Sequence, residues 1–233
     1  MSPARILLLA PALVVAAVVA AGALATPTTT ECKGVKNCID VVGPWVAVPA
    51  HGQATYLLQC PKNRSREIGG VDALASSQDI HVTFDGLLGG PVSPGVTTAA
   101  SAYFRAVSGH GLAGSFQPRI GCLPANGGGG RQTTSAREAT PAGPALILNA
   151  TTVLVAPGIV RLAHLQCPSG ARFVSSWTAT AFQTANPPDV GLTAAIHVQR
   201  TEAKGAASMR VTASEALPLN VHAQVQLGVI CAA

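Results

Sequence analysis

The sequence predicts an all-β protein built as two tandem, internally duplicated antiparallel β-sandwich domains, each closed by a disulfide. Residues 46–61 (VAVPAHGQATYLLQCP) align without a gap on residues 153–168 (VLVAPGIVRLAHLQCP), sharing Val46/Val153, Val48/Val155, Leu58/Leu165, Gln59/Gln166, Cys60/Cys167 and Pro61/Pro168. Each copy runs on to a second cysteine, Cys122 or Cys231, 62 and 64 residues after its Cys-Pro cysteine. Apolar residues alternate with polar ones at a period of two, the strand period, and no apolar stripe at helical spacing appears after residue 25.

Residues 1–25 read as a signal peptide: Arg5, an apolar run from Ile6 to Leu24, and a small-x-small ending at Ala23-Leu24-Ala25, which places the mature start at Thr26. The rival reading is an uncleaved anchor, since about 20 apolar residues span a bilayer; only then is a membrane a partner. Residues 26–42 are a polar lead-in carrying a small loop between Cys32 and Cys38. Domain one covers 43–124, a Gly/Ser/Thr/Pro linker 125–144, and domain two 145–233. The six cysteines all follow the cleavage site, as in chains oxidised after export. If the copies are equivalent, Cys60 pairs with Cys122 and Cys167 with Cys231, leaving Cys32 with Cys38.

The clearest strand is residues 221–229, where Val221, Ala223, Val225, Leu227 and Val229 alternate with His222, Gln224, Gln226 and Gly228. Residues 192–199 put Leu192, Ala194, Ile196 and Val198 on one strand face, and residues 172–182 put Phe173, Trp177, Ala179 and Ala181 together. Ile80-His81-Val82 matches Ile196-His197-Val198, and Ala99-Ala100-Ser101 matches Ala206-Ala207-Ser208. On those anchors, extra residues fall in loops around 185–189 and 86–98, where binding differences between similar domains arise.

Composition excludes several functions. Only 11% of residues are charged and 4% aromatic, and the mature chain carries 14 basic against 10 acidic residues without a basic patch. Nucleic-acid binding wants clustered cations interleaved with aromatics, so none is expected. The glycines of the linker are followed by no lysine and fit neither a P-loop nor a dinucleotide turn. There is no Gly-x-Ser-x-Gly, no His-Glu-x-x-His and no Cys-x-x-Cys, so no catalytic set, metal or cofactor is expected.

The candidate binding residues are His81, His197, His222 and Trp45. The histidines sit on the polar side of alternating strands, and His222 would lie across from His197 if their strands paired; two such side chains can hold a metal or titrate together. Trp45 can stack on a sugar or fill a core. The Cys-Pro pair followed by a polar turn and Gly69-Gly70 is similar to a Cys-Pro…Gly-Gly element of exported bacterial β domains, which the second copy departs from at Ser175-Ser176. The resemblance carries no activity.

The expectation is a secreted or envelope-associated, non-catalytic binding or structural module of a bacterium, its partner an envelope component or another protein. The alternative is a secreted hydrolase or metal-dependent protein using the strand histidines. An inhibitor or coat-like protein would show itself by a contiguous apolar surface.

Overall fold

The computed structural model describes residues 38–61, 66–84, 100–124 and 146–232. The signal segment, Cys32, the linker and the 86–98 loop lie outside them. Nearly everything described is antiparallel β-structure. The N-terminal half forms β1 (Ile39–Val42), β2 (Trp45–Val48), β3 (Gln53–Gln59), β4 (Arg66–Ala75), β5 (Ile80–Phe84), β6 (Ser101–Ser108) and β7 (Gly114–Pro124). The C-terminal half forms β8 (Leu146–Val155), β9 (Arg161–Gln166), β10 (Arg172–Gln183), a single helical turn α1 (Val190–Ala194), β11 (Ile196–Ala203), β12 (Ala206–Ala213) and β13 (His222–Ala232).

One seven-stranded sheet runs through both halves in the order β1-β7-β2-β10-β13-β8, with β4 on the other edge of β7. Two three-stranded sheets, β3-β6-β5 and β11-β12-β9, pack against it. Successive side chains of a strand point to opposite faces, and β2 shows which small sheet lies where. Val46 and Val48 join the core of β3, β5 and β6, whereas Ala47 joins the core of β9, β11 and β12. The small sheets therefore cover opposite faces of the long one.

Ladder registers run in parallel through the two halves. The pairing Gln59↔Ser101 has its counterpart in Gln166↔Ala206, Ile80↔Ser108 in Ile196↔Ala213, and Val46↔Phe116 in Val153↔Val225. Each half also breaks register once in the strand after its Cys-Pro pair, between Ile68 and Gly70 in β4 and between Phe173 and Ser175 in β10. The bulge corrects one expectation. An extra residue reverses the faces of everything before it, so Phe173 packs with the second core while Trp177, Ala179 and Ala181 belong to the first.

Two further expectations change. Ser101, matched to Ser208 by sequence, stands level with Ala206. A two-residue slip keeps every side chain on its own face, so alternation alone cannot detect it. Residues 192–195 are not strand: Asp189 caps α1 by accepting from Leu192 N at 2.8 Å, and β11 begins at Ile196.

The cystines fall as expected from matching the two copies, Cys60–Cys122 and Cys167–Cys231, with separations of 62 and 64 residues. Cys38 is disulfide-bonded as well; Cys32, its expected partner, is outside the described residues. Among the described residues no helix is long and apolar enough to cross a membrane. The cystines are compatible with an extracellular location.

Candidate functional site: the junction between the halves

Main-chain pairing between the halves is brief. β2 and β10 meet at Val46↔Ala181 and Trp45↔Phe182. Side chains make the rest. Gln226 Oε1 accepts from Leu57 N at 2.8 Å, and Gln226 Nε2 donates to Leu57 O at 3.0 Å. Leu57 lies on β3, the edge strand of its small sheet, so one amide side chain supplies the bonds a neighbouring strand would. The same Oε1 accepts from Trp177 Nε1 at 3.3 Å, and Gln224 Nε2 donates to Tyr56 Oη at 3.0 Å. Gln224 and Gln226 are buried, so the polar side of β13 is not an outer face there. Burial pushes the Tyr56 phenol up to about 12.

Trp177 completes the junction. Its ring meets that of Tyr103 edge-on, centroids 5.2 Å apart at 82°. A Cβ on Gly228, the cross-strand neighbour of Trp177, would lie 2.0 Å from the indole, so only glycine lets the ring lie across β13. Beside this network a cleft of about 560 Å³ is bordered by Tyr56, Leu58, Gln117, Thr152, Gln183 and Gln224. Its described lining carries no charged side chain. Its amides, hydroxyls and phenol offer hydrogen-bond donors and acceptors.

The predicted site residues do not converge. His81 is on β5 and His197 on β11, in small sheets on opposite faces of the long sheet. β11 pairs only with β12, so His197 and His222 are not cross-strand neighbours. All three are exposed. Trp45 is buried at 6% exposure with Nε1 unbonded among the described residues, which makes it a core residue and not a stacking platform.

His81 does have neighbours that sequence reading missed. The β6–β7 turn, Gly109-His110-Gly111, passes close to two histidine rings: a Cβ on Gly111 would lie 2.1 Å from the His51 ring, and one on Gly109 2.8 Å from His81 Nε2. His110 Nδ1 lies 2.7 Å from Asp79 Oδ1. Among the described residues, however, no three His, Cys, Asp or Glu side chains are grouped to hold a metal ion.

A second surface stands out by its exposure. From the end of β8 into β9, Leu154 (66%), Ile159 (43%), Val160 (46%) and Leu162 (72%) are open. In the N-terminal half the residues matching Leu154 and Leu162 are Ala47 (9%) and Thr55 (8%), buried. Comparison of the chain with protein-family models, curated proteins and solved structures returns no match.

Proposed function

We propose that this chain is an exported, non-catalytic binding or structural module of a bacterial envelope or secretome, made of two tandem, duplicated β-sandwich units. The matched registers, bulges and cystines support the duplication. Pairing of copies through a shared sheet is compatible with it, because the halves meet edge to edge while each keeps its own small sheet.

The observation that carries the binding role is the open apolar stretch of β8–β9. Exposed apolar side chains gathered at one place mark a contact surface. Here four flank one edge of the second half within residues 154–162, Leu154 on β8 and Leu162 on β9 each pointing away from the core that Val153, Val155, Ala163 and Leu165 enter. The match of Leu154 in the first half, Ala47, packs into the core of the second half, so that position is one this fold uses for contact.

Recovery of the protein from its host tests the reading. Protein in the medium or envelope fraction should begin at Thr26 with every cysteine oxidised. Recovery from the cytoplasm, with residues 1–25 retained and the thiols reduced, would contradict export.

A further inference from the structure

The junction inside the chain shows what could dock outside it, an inference that rests on the duplicated reading above. Leu57 and His164 each stand three residues before their Cys-Pro cysteine, at matching ladder positions, Leu57↔Tyr103 and His164↔Ser208. Leu57 turns its N–H and C=O outward, where Gln226 takes both. By the same register His164 turns its own outward. Among the described residues β9 pairs with β12 alone, and no strand lies on its other side.

The face that clasps Leu57 has a counterpart as well. Gln117 stands five residues before Cys122, as Gln226 does before Cys231. Asp72↔Arg119 occupies the ladder position of Trp177↔Gly228. The two sides differ from the internal junction together. Inside, Trp177 meets Tyr103 beside Leu57; at the ends, Asp72 and Arg119 stand in place of Trp177 and Gly228, while Ser208 and His164 stand in place of Tyr103 and Leu57. Apolar groups are matched inside and polar groups outside.

We propose that the β8–β9 edge is a self-docking surface that receives the β4–β7 face of a second copy of this chain, in the head-to-tail relation that joins the two halves. Gln117 of the incoming copy takes the His164 peptide edge, and Leu154 meets the incoming copy's small sheet as Ala47 meets that of the second half. The relation uses two different surfaces and reverses strand direction at each step, so it extends as an open row and not a closed dimer.

Sedimentation velocity of the oxidised mature chain, over about a hundredfold range of concentration, tests this. The weight-average coefficient should climb past that of a dimer. Leu154→Lys with Leu162→Glu blocks the receiving edge, and Gln117→Ala with Leu74→Lys, the exposed β4 residue opposite Gln117, blocks the incoming face. Each variant alone should stay monomeric, and an equimolar mixture of the two should stop at the dimer. Wild-type cystine maps and urea midpoints show that both variants fold. A wild-type chain monomeric throughout, or a closed dimer surviving either block, overturns the proposal. A cystine linking the two halves would instead overturn the duplicated reading; a normal map with a monomeric chain overturns the docking alone.

Discussion

Gln226 holds Leu57 from both sides of its peptide edge, accepting from its N–H and donating to its C=O, 169 residues away in the chain. The clasp makes a strand edge of one half depend on a single side chain of the other.

Replacing Gln226 with leucine keeps the volume and removes every bond. It leaves Leu57 N–H and C=O and Trp177 Nε1 buried without partners. An unsatisfied buried group costs about 1–3 kcal/mol, so Gln226→Leu should destabilise by about 2–4 kcal/mol in urea unfolding. A loss below about 0.5 kcal/mol would mean that water replaces the amide readily.

Tyr56 sets a limit at high pH. Its phenol, ordinarily near 10, is raised to about 12 by burial. Between those values the unfolded chain loses the proton and the folded one keeps it, so stability is complete below pH 10 and falls as pH rises toward 12. The slope is about 1.4 kcal/mol per pH unit. Urea midpoints of wild type and Tyr56→Phe measured across that window should show the wild type falling more steeply, because only it carries this titration.

The pairing of Trp177 with Gly228 is steric. Gly228→Ala places a methyl in the indole's position and should cost about 1–3 kcal/mol. A double-mutant cycle with Trp177→Ala should recover most of that; additive effects would show that the ring is not the obstacle.

How much of this was legible follows from what each signal encodes. Paired cysteines and period-two alternation record features that pairing and strand geometry express directly, so the two cystines and the β class came through. Gln224 and Gln226 did not, because alternation separates two faces of a strand without saying what covers either. Phe173 was misplaced by a bulge, and Ser208 by a slip that alternation cannot see. The approach of His51 and His81 to the β6–β7 turn depends on glycines that make room for two rings, a contact no spacing announces.

That histidine group bears on the metal-dependent alternative. With His110 engaged by Asp79 and no third ligand converging, zinc calorimetry on the oxidised chain should show no binding that vanishes with His81→Ala. One-to-one binding lost in that variant would favour the alternative.

The cystines should support the two halves alike. Each closes a loop of similar length, so Cys60→Ala/Cys122→Ala and Cys167→Ala/Cys231→Ala should each cost about 4 kcal/mol. A difference of more than about 2 kcal/mol would show that the halves are not held equivalently.

Hydrogen exchange at the Leu57 amide addresses the union of the halves most directly. Leu57 lies on an edge strand and its N–H points away from its own sheet, so protection can come only from Gln226. The amide should exchange as slowly as those of β13 in the wild type and rapidly in Gln226→Leu. Fast exchange in the wild type would contradict the joined structure.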